Sequence, residues 1–228
     1  AMDASTLPTI PVYLVTGGCG FIGEHIVELL SKQDYVSEVR VFDVAASVEV
    51  KKFTTATTHV TVMKGDIRDY NLLLAAMRGV HVVIHTAATV DYRNTVPFWE
   101  MKAVNVGGTE NVLRACCFLS IPYIVYTSSV AAVGPNSRRE PMFRGTEDTK
   151  YSGEVELPYG KTKAMAEKLI LEANGRKGML HGCTCLQQGA CHCSQTYLRD
   201  KCIMPMMTLQ QRKVFWSGIS CCWGWTLP

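Results

Sequence analysis

The sequence predicts an α/β fold, a parallel β-sheet wound on both faces by helices, over residues 12–177. Three observations predict it. From Val12 to Gly175, short apolar, β-branched runs alternate with longer segments of helical period. Most of these runs are apolar throughout, as strands covered on both faces are. The first run also feeds directly into a cluster of glycines that precedes a helical segment, a join found in doubly wound sheets.

Taken in order, Val12–Thr16 reads as the first strand and Phe21–Ser31 as the helix that starts where the glycines end. Glu38–Asp43 and His59–Lys64 read as the second and third strands, rich in valine. Asp69–Met77 reads as a helix, His81–Thr86 as the fourth strand, Phe98–Ser120 as one long helix and Tyr123–Thr127 as the fifth strand. Strand–helix–strand alternation of this kind calls for right-handed crossovers. Pro135–Pro158 carries charges, Gly and Pro with little periodicity, which marks a surface excursion. Tyr159–Asn174 closes the pattern as a helix. Met165, Leu169 and Ile170 share its apolar side, while Glu167, Lys168 and Glu172 face out.

The strand Val12–Thr16 runs into Gly17-Gly18-Cys19-Gly20-Phe21-Ile22-Gly23. Glycines here permit a tight turn, let backbone approach a pyrophosphate, and let helix and strand pack closely. The helix then offers its free N–H groups and positive dipole end to the phosphates. This makes Gly17, Gly20, Phe21, Ile22 and Gly23 candidate cofactor contacts and the domain a Rossmann-type one. Asp43 ends the second strand, 20 residues beyond Gly23, where a carboxylate accepts from both ribose hydroxyls and repels a 2′-phosphate. NAD is therefore expected over NADP. Asp66-Ile67 follows the third strand, where a carboxylate can reach the adenine amino group. Ala87-Ala88 follows the fourth, small enough for backbone to lie against the cofactor. His85 reads as packed or hydrogen-bonded rather than catalytic.

Tyr159-Gly160-Lys161-Thr162-Lys163 sets a phenol and an ammonium one helical turn apart on one face. A free tyrosine, with a pKa of about 10, is a poor base at neutral pH. A neighbouring lysine charge favours the phenolate and is expected to draw that value down. Lys163 can also bind the nicotinamide ribose. Ser129, from Thr127-Ser128-Ser129 at the end of the fifth strand, is expected to hold the substrate oxygen against Tyr159. The order of glycine turn, strand-end acid, serine pair and Tyr-x-x-x-Lys points to oxidation of a secondary alcohol. Asn105, beside a glycine pair in Val104-Asn105-Val106-Gly107-Gly108-Thr109, suggests a buried polar role near the site, with helix-kink geometry as the other reading.

Together these features resemble the extended short-chain dehydrogenase/reductases, and within them the 3β-hydroxysteroid dehydrogenase/Δ5-isomerase family. The resemblance is carried by Tyr13–Gly23, Val82-Val-Ile-His-Thr-Ala87, Val104-Asn-Val106 with Gly108-Thr109, Tyr126-Thr-Ser-Ser129, Val133-Gly-Pro-Asn136 and Leu171-Glu-Ala-Asn-Gly-Arg-Lys177. Arg144-Gly145 with Glu147-Asp148-Thr149 is most similar to the bile-acid (7α-hydroxysterol) branch. The resemblance implies oxidation of a 3β-hydroxy-Δ5-steroid with NAD accepting the hydride, Tyr159 as base, Lys163 tuning it and Ser129 orienting the alcohol. An isomerase step needs a further acid that no residue here supplies by pattern. It also implies full-length relatives bound to the endoplasmic reticulum membrane. Two other readings stay open: a sugar-nucleotide epimerase or dehydratase, and a catalytically inactive nucleotide-binding fragment.

Composition divides the chain near Lys177. Residues 1–177 hold only Cys19, Cys116 and Cys117, whereas 178–228 hold seven cysteines, three of the four tryptophans and a single acid, Asp200. The expected organisation is an extension over 1–11, the nucleotide domain over 12–177, and a Cys-rich tail over 178–228 in which the strand pattern disappears and the substrate domain is missing or aberrant. His181, Cys183, Cys185, Cys191, His192 and Cys193 lack two separated ligand pairs, so no metal site is expected. The net charge of +3, without a basic patch interleaved with aromatics, gives no nucleic-acid partner. No secretory pattern opens the chain, and no apolar run reaches the roughly 18 residues of a membrane span. The chain as written is expected to be soluble and cytoplasmic, with a small steroid as ligand and a homodimer left open.

Overall fold

The structure is a computed structural model that describes residues 11–45, 47–134 and 155–174, and the backbone of 181–185. Six strands, β1 (Val12–Thr16), β2 (Glu38–Asp43), β3 (His59–Lys64), β4 (Val82–His85), β5 (Tyr123–Thr127) and β6 (His181–Cys185), form one sheet in the order β3-β2-β1-β4-β5-β6. Every pairing is parallel. The chain winds outward from β1 in one direction to β3, then returns to its other side at β4. The crevice beyond the carboxyl ends of β1 and β4 is thus the topological switch point, where such sheets bind ligands.

Side chains alternate faces along each strand, so both faces of β1 find a core. Tyr13 and Val15 pack with Ile26, Val27 and Leu30 of α1 (Phe21–Ser31) and with Val39 and Val41 of β2. Leu14 faces the other layer, with Phe42, Val83 and Ile124. That layer is filled by Leu73 and Met77 of α2 (Tyr70–Met77), Val112 and Cys116 of α4 (Thr109–Phe118), and Ala166 and Ile170 of α5 (Pro158–Ala173). Each buried Val, Leu, Ile, Phe or Met side chain among them contributes about 1.5–3 kcal/mol by leaving water. Asp69 starts α2 by accepting from the N–H groups of Asn71 and Leu72, at 3.0 and 3.1 Å.

Four expectations are corrected. The fourth strand is shorter than His81–Thr86, ending at His85, whose ring turns into the interior. The predicted helix Phe98–Ser120 is broken into α3 (Phe98–Lys102), a π-helical turn over Ala103–Gly108, and α4. Asn105 lies in that turn, with its side chain committed elsewhere, and Gly108 abuts Ile67 so closely that a Cβ would collide with it. The helix stops at Phe118 because Ser120 takes a left-handed φ of 55°, with Ile121 N–H returning to Cys116 O at 2.9 Å.

The third correction concerns α5. Met165 is 36% exposed, whereas Glu167 is 1% exposed. The buried stripe runs through Tyr159, Lys163, Ala166, Glu167 and Ile170, so apolarity placed Leu169 and Ile170 correctly but misplaced Met165 and Glu167. The fourth lies beyond Lys177. His181–Cys185 pairs in parallel with Tyr123–Thr127 and fills the edge where the sequence pattern offered no strand. Backbone hydrogen bonding needs no apolar alternation.

Candidate active site

At the switch point the contacts are made by backbone. Gly17 takes a φ of 70°, and its N–H donates to Phe42 O at 2.9 Å. A Cβ there would sit 2.7 Å from Ala87 N, so only glycine allows β4 this close. At Gly23 a Cβ would run into the Gly17 carbonyl, which is how α1 seats on the turn. Gly20 precedes α1 and brings no side-chain cap. The first-turn amides, those of Phe21 and Ile22 among them, are therefore set to face an anion. The Phe21 ring itself points outward, 76% exposed, against His25.

Asp43 is bound into the same turn. Its Oδ2 accepts from Cys19 N–H at 3.0 Å and its Oδ1 from Ala45 N–H at 2.9 Å, leaving acceptor capacity on a half-buried carboxylate. Burial, and then the Asp43 charge, push the Cys19 thiol up. Ala87 and Ala88 follow β4, both half-buried. Ile67 is buried beneath Gly108. The Asp66 carboxylate lies beside them but grips Arg68, at 2.6 Å to its Nη2, and that hydrogen bond holds it below the usual carboxylate range.

A buried polar chain links this turn to the helix α5, and its proton directions can be worked out. Thr109 Oγ1 donates its one proton to Asn105 O at 2.7 Å. It must therefore accept from His85 Nε2, 3.0 Å away. His85 Nδ1 then accepts from Thr16 Oγ1 at 2.6 Å, and Thr16 Oγ1 accepts from Ala87 N–H at 3.4 Å. Complete burial, helped by the Lys163 charge, pushes His85 down to about 3, so the ring is neutral. It is structural, as its sequence context suggested. The Asn105 side chain accepts from Thr89 N–H at 2.7 Å and donates to Thr89 O and to Thr162 Oγ1, both at 2.9 Å. Thr162 Oγ1 in turn donates to Tyr159 O at 2.7 Å. Asn105 thus has the buried polar role its position suggested, and a π-helical turn accompanies it.

Tyr159, Lys163 and Ser129 are brought together. Ser129 Oγ accepts from Ala131 N–H at 3.2 Å and hydrogen-bonds the Tyr159 phenol, which favours the phenolate. Burial outweighs this and raises Tyr159 to about 12. The expected downward pull from Lys163 is not what governs Tyr159 here. Lys163 Nζ is directed to Thr127 O at 2.5 Å and lies 4.2 Å from the centre of the Tyr126 ring. Burial brings Lys163 down to about 7, against the opposing charge of Glu167.

Two features here escaped sequence reasoning. Tyr92 packs edge-on to the Tyr159 ring at 5.1 Å, on a loop that Asp91 ties by accepting from Arg93, Thr95 and Val96 N–H. Glu167 lies buried beneath Ser128. An Asp followed by Asn and Thr signals a tied loop, but nothing local says which ring it meets.

Strand order, glycine turn and Tyr-x-x-x-Lys helix together define a Rossmann-type domain of the short-chain dehydrogenase/reductase class. The chain belongs to the 3-beta hydroxysteroid dehydrogenase/isomerase family, whose sequence model matches residues 14–190. It is 47% identical over 176 residues to the mouse 3 beta-hydroxysteroid dehydrogenase type 7, covering 77% of this chain and 47% of that protein. It is 41% identical over 163 residues to the vaccinia virus (strain Ankara) 3 beta-hydroxysteroid dehydrogenase/Δ5→4-isomerase, covering 72% of this chain and 46% of the viral one. The chain therefore spans about half the length of these curated relatives. Among solved structures, the UDP-glucose-4-epimerase of Stenotrophomonas maltophila with bound NAD and formylated UDP-arabinopyranose aligns with a TM-score of 0.66 at 25% identity. That alignment covers 76% of this chain and 52% of the epimerase. Among the described residues no helix is long and apolar enough to cross a membrane, and no cluster of His, Cys, Asp and Glu is fit to hold a metal.

Proposed function

We propose that this chain carries the nucleotide-binding and catalytic half of an NAD-dependent 3β-hydroxysteroid dehydrogenase, with residues 12–177 as the body of that unit and β6 completing its sheet. The substrate is a 3β-hydroxy-Δ5-steroid, oxidised to the 3-oxo steroid in the bile-acid branch that the type 7 relatives represent. The endoplasmic reticulum membrane is the cellular setting this reading carries. The observation that carries it is the meeting of Tyr159, Ser129 and Lys163 beside β5, at the same carboxyl end of the sheet as the glycine turn.

The residues at the turn fit a dinucleotide. Gly17 and Gly23 keep the turn free of Cβ atoms, the α1 amides meet the pyrophosphate, and Asp43 accepts from the ribose hydroxyls. Ala87 and Ala88 give the nicotinamide side room, and Asp66 and Ile67 border the adenine. When bound, NAD would supply the acceptor for the hydride of the alcohol carbon. Tyr159 takes the hydroxyl proton, Ser129 donates to the oxygen, and Lys163 binds the nicotinamide ribose and favours the phenolate. Because burial holds Tyr159 near 12, turnover is expected to climb with pH through the neutral range. The epimerase-like structures share this fold, but the family match and the steroid-enzyme relatives favour the steroid reading.

The test is an NAD titration of the purified chain followed by its intrinsic fluorescence, then steroid turnover. Saturable binding is expected, weakened about ten- to a hundredfold by Asp43→Ala through loss of charged hydrogen bonds. Tyr159→Phe is expected to cut turnover by about 10²–10⁴ with NAD affinity retained. No NAD binding by the unsubstituted chain, or full turnover by Tyr159→Phe, would sink the reading.

A further inference from the structure

α5 buries a carboxylate that the reaction above leaves unused. Glu167 is 1% exposed and lies one turn beyond Lys163 on the same face. Its Oε2 accepts from Ser128 Oγ at 2.6 Å. Ser128 stands between Thr127, whose carbonyl receives Lys163 Nζ, and Ser129, which bonds Tyr159. Enclosing a carboxylate is costly unless a partner needs its charge. The hydrogen bond alone does not account for it, since a neutral amide would accept from Ser128 as well.

The surroundings of Lys163 supply the reason. From β4 it is faced by His85, which is neutral. From β5 it meets the ring of Tyr126 and the carbonyl of Thr127. From α5 come Tyr159, a neutral phenol, and Glu167. Within the described residues, Glu167 is the negative group that acts on Lys163, opposing the pull of burial. We propose that Glu167 is a positioning residue: it favours the cationic form of Lys163 inside a dry helix–sheet interface and anchors the strand end that carries Ser129. This rests on the assignment of Lys163 to the reaction. Through one buried carboxylate, the lysine and the serine partner of Tyr159 are fixed together.

The experiment is a pH titration of the unliganded full chain, labelled with ¹³C at lysine Cε and followed by NMR. The Lys163 signal is identified by its loss in Lys163→Arg. In Glu167→Gln the Lys163 midpoint is expected to fall by about one pH unit or more, because an opposing charge is gone. In Ser128→Ala, which keeps both charges, it is expected to stay in place. An unmoved midpoint in Glu167→Gln, or an equal fall in Ser128→Ala, would overturn the proposal.

A thermal-melting cycle covers the case where Glu167→Gln folds poorly. Lys163→Met with Glu167→Gln together is expected to melt higher than either single variant, since each single change strands one buried charge. Additive losses would also overturn it. Both readouts are taken without NAD, so a chain that failed to bind NAD would refute the function proposed above and leave this result standing on its own.

Discussion

The glycine turn and the catalytic helix reach the same crevice by different means. At the turn, main chain does the holding: Gly17 N–H to Phe42 O, Gly20 N–H to Gly17 O, and Cys19 N–H to the Asp43 carboxylate. Around α5, buried side chains do it: His85, Thr109, Asn105 and Thr162 in one line, with Ser128 and Glu167 beside Lys163. The turn is specified by what is missing, since a single Cβ would spoil it. The helix is specified by what is present, since every buried polar atom must meet its partner. The first is intolerant of bulk and the second of lost hydrogen bonds.

Substitution can break that contrast. The largest effect is expected at Gly23→Ala, whose methyl group would strike the Gly17 carbonyl and force α1 off the turn. A loss upwards of about 3 kcal/mol in urea unfolding is expected, together with loss of NAD binding. Wild-type stability in this variant would show that the turn yields more than its packing implies. Next comes Asn105→Ala, which strands both backbone groups of Thr89 and leaves Thr162 short of a donor. About 2–3 kcal/mol is expected from the same measurement, with Tyr159 chemistry suffering more than NAD affinity. If NAD affinity fell first, the two regions would be one unit and the contrast would be lost.

The effect that is smallest near neutral pH sharpens it by titration. Folding holds His85 neutral down to about 3, while the unfolded chain takes up that proton near 6.5. This contribution to stability is whole above about 6.5 and is lost as pH falls toward about 3, at up to about 1.4 kcal/mol per pH unit. Stability curves of the wild type and His85→Gln should therefore converge in slope above that window and diverge within it. Parallel slopes throughout would mean that His85 is not the buried neutral ring described here.

Much of the fold was legible from residues alone. β1, β2, β3, β5 and α1 occupy the predicted spans, because β-branched runs and glycine punctuation are local signals. The candidate site was legible in its members, Gly17 to Gly23, Asp43, Ser129, Tyr159 and Lys163, through their spacing. Its support was not. Glu167 reads as an outward residue from its charge alone, because a charge is normally best left in water. Nothing near it in sequence says that Ser128 and Lys163 will enclose it. The break in the long helix was legible only as the alternative reading of Asn105, for the same reason. Asn105 leaves the helix pattern to serve Thr89 and Thr162, partners 16 and 57 residues away.

The sequence by itself determined the parallel α/β architecture, the place of the glycine turn and the pairing of a phenol with an ammonium on one helix. These follow from periodicity, conformational freedom and helical spacing, which act over a few residues. Only the tertiary structure decided which way His85 holds its proton, that Lys163 turns to Thr127 and Tyr126, that burial holds the Tyr159 phenol high, and that Glu167 lies inside. Those are matters of desolvation and of donors meeting acceptors across the sheet, and they exist only once distant segments have closed on one another.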